Sequence, residues 1–298
     1  MKRLFRRLLQ TAYGAIPRTE KSGAAQHLAG GMAQMQQLQL RLRYQELVRQ
    51  GTALPSFDEA QFRWFSQNGE DGILLLLFAV LGTTRKRVVE ACVQWGVECN
   101  AANLIVNHGW SGLLFDGDAG NIAHGRRFYA RCPDTMSDPP RLEHAWITAE
   151  NINDLIRGCG LEGEVDLFSL DVDGMDYWIW KALDVIRPRV VVLEYNNLWG
   201  PEDAVTVPYR ADFVAEHTDV GPNYAGASLA AFARLGKAKG YRLVGCERLG
   251  FNAFFVREGL GEAWFPEVPV ASCLNSPFAR RANQHRLPLV RNLAWERV

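Results

Sequence analysis

Several carboxylates fall where a run of apolar residues gives out. Asp116 and Asp118 follow Leu113-Leu114-Phe115, Asp171 and Asp173 follow Leu167-Phe168-Ser169-Leu170, and Glu194 follows Val190-Val191-Val192-Leu193. A carboxylate at the end of a core strand can accept hydrogen bonds from ribose hydroxyls, ligate a hard cation or take a proton from an attacking group. Asp171 and Asp173 share one face of an extended segment at the period of two, and Asp176 opens the next helix. Three carboxylates so close repel one another unless a cation, a donor or a raised pKa compensates. A preference of helix N-termini for acidic residues accounts for Asp176. It does not account for Asp171 inside an apolar strand. Asp116-Gly117 is also ordinary turn chemistry, but it closes a core strand.

These residues need a scaffold, and the chain spells one. Short apolar runs at Arg87–Cys92, Gly112–Asp116, Ala145–Thr148, Leu167–Val172 and Val190–Tyr195 read as strands. Glu98–His108, Ile122–Tyr129, Asn151–Cys159 and Tyr177–Ile186 read as the helices between them. Strands apolar on both faces and separated by helices imply a parallel sheet covered on both sides. After a helix at Ser228–Lys239, the strands Tyr241–Cys246 and Asn252–Arg257 lie too close for a helical crossover and must pair antiparallel. The expected fold is α/β: a doubly wound, mostly parallel seven-stranded sheet, Rossmann-like, with a terminal antiparallel hairpin, as class I methyltransferases are wired. Residues 1–56 form an N-terminal helical extension, 57–258 the Rossmann-like domain and 259–298 a C-terminal tail packing on it. Met32, Met35, Leu38, Leu42 and Leu47 recur at helical spacing in the extension, to meet the domain or a second subunit.

Composition narrows the function. Lys plus Arg and Asp plus Glu both number 33, a formal net charge of zero that argues against a nucleic-acid binder. Hydrophobic residues make up 48%, enough for a packed core. The 6 cysteines include no Cys-x-x-Cys pair, which fits a reduced cytoplasmic protein with buried thiols. No apolar run approaches the roughly 18 residues of a membrane span. Residues 1–16 carry apolar pairs at 4/5, 8/9 and 12/13 opposite Lys2, Arg3, Arg6 and Arg7, a face suited to weak contact with an anionic membrane surface.

Beyond the first strand the sequence reads Glu90-Ala91-Cys92-Val93-Gln94-Trp95-Gly96. Only Gly96 is left of a glycine-rich turn, so a dinucleotide fingerprint is absent. Ahead of the sheet, Ser66-Gln67-Asn68-Gly69-Glu70-Asp71 supplies a helix start or polar groups at the cleft mouth. With Glu-Cys-Asn at 98–100, Asn-His-Gly-Trp at 107–110, Asp-Val-Asp-Gly at 171–174, Gly-Ala-Ser-Leu at 226–229 and Gly-Tyr-Arg-Leu-Val-Gly at 240–245, this segment resembles the FkbM-type S-adenosylmethionine-dependent methyltransferases, in particular a bacterial branch of them. The likeness runs from Phe62 to Arg257. It departs from the family at Cys92 and Gln94, where glycine is expected.

The resemblance implies that S-adenosylmethionine is held by Gln67, Glu90, Gly96, Asp116 and Asp171, with Glu90 and the turn at its methionine end and Asp116 at its ribose. It allows a Mg²⁺ on Asp171, Asp173 or Glu194. For a hydroxyl acceptor, Asp173, Asp176 and His108 are the candidate bases, although His108 could equally end its helix. Asn196 and Tyr224 fall where an acceptor pocket would be shaped, and 199–223 is long enough to be a lid. His144 and His217 have no motif around them. The acceptor expected by analogy is a sugar hydroxyl on a glycan or natural product. Two other readings stand beside this one: a non-catalytic binding module on the same fold, and a metal-dependent glycosyltransferase using the two Asp-x-Asp pairs.

Overall fold

The computed structural model describes residues 22–216 and 223–298. Residues 1–16 and His217 lie outside them.

Seven strands form one sheet: β1 (Arg87–Ala91), β2 (Ser111–Asp116), β3 (Arg141–His144), β4 (Gly163–Leu170), β5 (Ile186–Glu194), β7 (Tyr241–Cys246) and β8 (Asn252–Arg257). Their order is β3-β2-β1-β4-β5-β8-β7, with β8 the antiparallel member. This is the Rossmann-like class I methyltransferase arrangement. Alternation sorts each strand between two cores. Val89, Leu113, Phe168, Val191 and Phe255 face one layer, and Val88, Leu114, Leu167, Val190 and Phe254 the other. The intervening helices α4 (Asn100–His108), α5 (Ala119–Tyr129), α6 (Ile152–Gly158), α7 (Asp176–Ala182) and α8 (Leu229–Ala238) cover both faces.

Ahead of β1 come α1 (Ser22–Gln50), α2 (Phe57–Ala60) and α3 (Glu70–Leu81). Ile73 to Leu77 are all buried because α3 is wedged between α1 and the sheet. Its Gly72 lies so close to the 60–62 backbone that an added Cβ would sit 2.2 Å from the Ala60 carbonyl oxygen. Of the apolar series of α1 only Leu47 packs on the domain core. Ala33, Gln37 and Tyr44 are the buried residues there, while Met32, Met35, Leu38 and Leu42 are exposed.

β3 forms at Arg141–His144, not at the apolar run Ala145–Thr148. It is the edge strand, paired only with β2, so just one of its residues, Leu142, is buried and hydropathy does not mark it. β4 stops at Leu170, which places Asp171 in the turn beyond the strand. The tail folds into α9 (Val270–Cys273), α10 (Pro277–His285), α11 (Leu287–Val290) and β9 (Glu296–Arg297). β9 pairs antiparallel with β6 (Val205–Thr206), a strand in the segment after β5. Trp295 stacks edge-on against Trp199 and Tyr224 there. Among the described residues no helix is long and apolar enough to cross a membrane.

Candidate functional site

Strand order reverses between β1 and β4, and the crevice outside the carboxyl ends of these strands is where open α/β sheets bind ligands. The turn after β1 holds Cys92 at φ 61° and Gln94 at φ 53°, followed by Gly96 at φ 74°. The backbone therefore follows the left-handed course of a glycine-built turn while carrying two side chains. It is kept in place by the Val93 amide on the Phe115 carbonyl (3.1 Å) and by the Tyr129 hydroxyl on the Gly96 carbonyl (2.5 Å). A left-handed non-glycine residue costs about 1–2 kcal/mol. Cys92→Gly should accordingly raise the unfolding free energy by about 1 kcal/mol, read from urea denaturation.

Glu90 lies beneath this turn, and its carboxylate serves the fold. It accepts from the Asn100 and Ala101 amides at the start of α4 (3.0 and 2.6 Å) and from the Ser169 hydroxyl (3.1 Å). Burial raises its pKa against the pull of those amides. Through these bonds Glu90 joins β1, β4 and α4 beneath the turn where the sequence expectation places the cofactor's methionine end.

Asp116 ends β2, nearly buried. Its Oδ1 accepts from the Asp118 amide (2.9 Å) and Asn121 Nδ2 (3.0 Å), and Oδ2 takes no bond from the described residues. Asp118 instead caps α5, accepting from the Gly120 and Asn121 amides. One oxygen of Asp116 is thus fixed by its own turn, leaving the other for a ligand donor.

After β4, Asp173 takes φ 56°, a second strained position at the same sheet edge. Asp176 explains how it is held there. Its buried carboxylate accepts from the Val172 amide (2.8 Å) and the Gly174 amide (3.0 Å), the neighbours of Asp173 on either side. Asp176, expected as a base, is committed to this turn. Asp171, Asp173 and Glu194 each offer an oxygen within 4.8 Å of the others. Such a set of hard oxygens suits a divalent cation such as Mg²⁺. Cys92 ties the halves of the site together: burial raises its thiol pKa, and the charges of Asp171, Asp116, Asp173 and Asp176 push it further.

Residues that sequence reasoning did not single out close over this edge. Phe213 lies against the Asp173-Gly174 turn, so that a Cβ on Gly174 would come within 2.4 Å of its ring. Trp146 packs on Gly117 and donates its indole N–H to the Ala211 carbonyl (2.8 Å), yet stays 54% exposed. The Tyr209 hydroxyl donates to Glu150. The segment after β5 is therefore fastened onto both the β3 and β4 loops. An exposed tryptophan directly after an edge strand was the available signal.

Other candidates are placed elsewhere. The 66–71 loop reaches the same sheet edge: Glu70 accepts from Asn252 Nδ2 (2.7 Å), and Asn252 is the cross-strand partner of Glu194. Gln67 belongs to this loop and its carbonyl accepts from Arg63, while the side-chain bonds there are made by Ser66, Asn68, Glu70 and Asp71. His108 lies at the opposite edge, where Lys86, just before β1, donates to its carbonyl oxygen (2.9 Å) and its Nε2 meets Gln37 Oε1 (2.8 Å). Burial, with Arg41 and Lys86 nearby, lowers its pKa to about 4. His108 thus ends α4, away from the carboxylate cluster. Asn196 spends its side chain on the Asn223 and Ala225 carbonyls and the Leu198 amide, and the Tyr224 hydroxyl on the Ala294 carbonyl. The His144 ring meets the Gly117 carbonyl oxygen at 3.1 Å.

Besides Glu90, three buried carboxylates carry a pH signature. Burial raises Asp71 from 3.8 to about 6, Asp176 from 3.8 to about 7 and Glu247 from 4.5 to about 7, overriding the amides bonded to each. A raised folded pKa favours the protonated acid, so this stability is complete below the unfolded values and is lost as pH climbs through the folded ones. The urea midpoint is expected to fall between pH 5 and pH 8, by up to about 1.4 kcal/mol per pH unit for each group still titrating.

No protein-family model and no curated protein sequence matches this chain. Similar solved structures include an O-methyltransferase from Bacillus cereus in complex with SAH, at 15% identity, covering 74% of this chain and 89% of that one with a TM-score of 0.41. The N-terminal domain of EvdMO1 with SAH bound is 14% identical over 73% of this chain and 94% of its own, TM-score 0.42. Magnesium protoporphyrin IX methyltransferase from Synechocystis PCC 6803 with bound SAM is 12% identical over 63% and 78%, TM-score 0.39. The fold of the present chain is read from its strand order.

Proposed function

We propose that this chain is an S-adenosylmethionine-dependent methyltransferase acting on a hydroxyl of a sugar, on a glycan or a natural product. The observation that carries the reading is the gathering of Asp116, Asp171 and Asp173 around the left-handed β1 turn at the point where strand order reverses.

The residues suit the cofactor best at its ribose. Asp116 keeps Oδ1 on its own turn and offers Oδ2 to hydroxyl donors. The β1 turn keeps the course that lets the backbone approach a ligand, with Cys92 and Gln94 projecting where glycine would leave room. When bound, S-adenosylmethionine supplies an electrophilic methyl group on a sulfonium. The chain's part is to align the acceptor, since displacement needs the reacting atoms in line. Asp173 takes the proton of the attacking hydroxyl, Asp176 fixes the turn that aims it, and Phe213 with the segment after β5 keeps water from the crevice.

Incubation with methyl-labelled S-adenosylmethionine and a panel of hydroxylated glycans should give a labelled, methylated sugar. Label on no acceptor, with stabilisation only by a sugar nucleotide and Mn²⁺, would assign the same acids to glycosyl transfer. Asp116→Ala should weaken S-adenosylhomocysteine binding by about tenfold, the worth of one charge-assisted hydrogen bond, measured calorimetrically.

A further inference from the structure

On the far side of the sheet from β3, residues 51–58, the β7–β8 hairpin and the start of the tail line an open cavity of about 930 Å³. None of the carboxylates of the proposed site lines it. Cys246, at the end of β7, and Cys273, at the end of α9, both do. Cys246 is half-buried and its Sγ lies 3.5 Å from the Cys273 carbonyl oxygen, which also accepts from the Tyr195 hydroxyl (3.1 Å). Cys273 is 4% exposed, with the Ser272 hydroxyl 4.0 Å from its sulfur. The other four cysteines, Cys92, Cys99, Cys132 and Cys159, belong to other parts of the fold, and all six are free thiols.

We propose that Cys246 and Cys273 form a dithiol modification site that a peroxide converts to an intramolecular disulfide, tying the tail to the edge strand of the sheet. The two residues are distant in sequence and come from elements that pack on each other, with the cavity as the path for a small oxidant. The pair is electronically unequal. The Cys246 S–H points at the Cys273 carbonyl oxygen, and the interaction between the two side chains lowers the Cys273 pKa while Cys246 is pushed up. Both residues line the cavity, and we place the first attack on Cys273, as its thiolate. It attacks one peroxide oxygen, breaking the O–O bond to give a sulfenic acid and, for hydrogen peroxide, water. Cys246 then attacks that sulfur, the S–O bond breaks and a second water leaves. Two thiols and one peroxide become one disulfide and two waters, the sulfurs losing two electrons and two protons.

The consequence lies on the sheet. β7 runs directly into Glu247, whose buried carboxylate accepts from the Leu249, Phe251 and Asn252 amides and so shapes the hairpin. Asn252 is in turn the cross-strand partner of Glu194. A covalent tie at Cys246 would thus restrain the hairpin that borders the proposed site.

The test uses the full chain, treated with a small molar excess of hydrogen peroxide, alkylated and digested with trypsin. The expected product is a disulfide between peptides 243–248 and 258–280, reversed by dithiothreitol, with free thiols falling from six to four. Cys246→Ser should abolish that product and leave Cys273 as a sulfenic acid trapped by dimedone. Cys273→Ser should protect Cys246 from oxidation. Both thiols alkylated after peroxide, or either one paired with another cysteine, would overturn the assignment. So would an unchanged loss of two thiols in both variants. Since the reading is of thiols and not of methyl transfer, it stands or falls apart from the proposed activity.

Discussion

Asp173→Asn should slow methyl transfer by about 10²–10⁴-fold, the usual worth of a positioned general base, while leaving S-adenosylhomocysteine affinity largely unchanged. The split follows from the geometry. Asp173 is held in a left-handed conformation that an aspartate adopts only at a cost, and the Asp176 carboxylate grips the amides on either side of it. Strain of this kind persists where the surroundings over-determine it, and such positions cluster at functional sites. Asparagine tolerates the same backbone conformation, so the substitution removes the proton acceptor and little else. Single-turnover rates measured against pH are the check. A loss smaller than about tenfold would place the base elsewhere among the carboxylates.

Asp166→Ala should lower the unfolding free energy by about 3–5 kcal/mol, the range for breaking a buried ion pair from one side. Asp166 is fully buried near the start of β4. Its oxygens accept from the Thr84 amide (2.7 Å), the Arg85 amide (3.0 Å) and the Arg87 amide (3.2 Å), and it faces Arg189 at 3.9 Å. Alanine would leave those amides without their acceptor and the buried Arg189 guanidinium, bonded to the Leu81 carbonyl (2.7 Å), without its counter-charge. The effect belongs to stability alone, because this clamp lies at the amino ends of the strands. Urea denaturation should show a large shift in midpoint, and protein that remains folded should keep its S-adenosylhomocysteine affinity.

The sequence made the sheet legible wherever a strand is buried on both faces. Tyr241–Cys246 and Asn252–Arg257 form as the pattern predicts because β-rich apolar runs with a short polar link leave few alternatives. β3 was misplaced because an edge strand needs only one buried side chain, and Arg141-Leu142-Glu143-His144 shows almost no hydropathy signal. In the site, Asp116, Asp171 and Asp173 were legible as polar residues ending core strands. The amide bonds of Glu90 and Asp176 were not, since which amides a carboxylate meets depends on a turn of one or two residues. His108 is separated from the others by the whole length of α4, which runs back from the carboxyl ends of the strands to their amino ends. Phe213 and Trp146 come together through chain folding after β3 and β5, which no local spacing encodes.

The central claim is that the crevice between β1 and β4 binds the methyl donor despite Cys92 and Gln94. Titration of S-adenosylhomocysteine into the intact chain, followed by calorimetry, addresses it directly. The account predicts saturable one-to-one binding with a dissociation constant below about 1 mM, within the span of enzyme substrates, and a tighter constant for Cys92→Gly. The absence of saturable heat at millimolar ligand, in the native chain and in Cys92→Gly alike, would contradict it and leave the fold as a binding module.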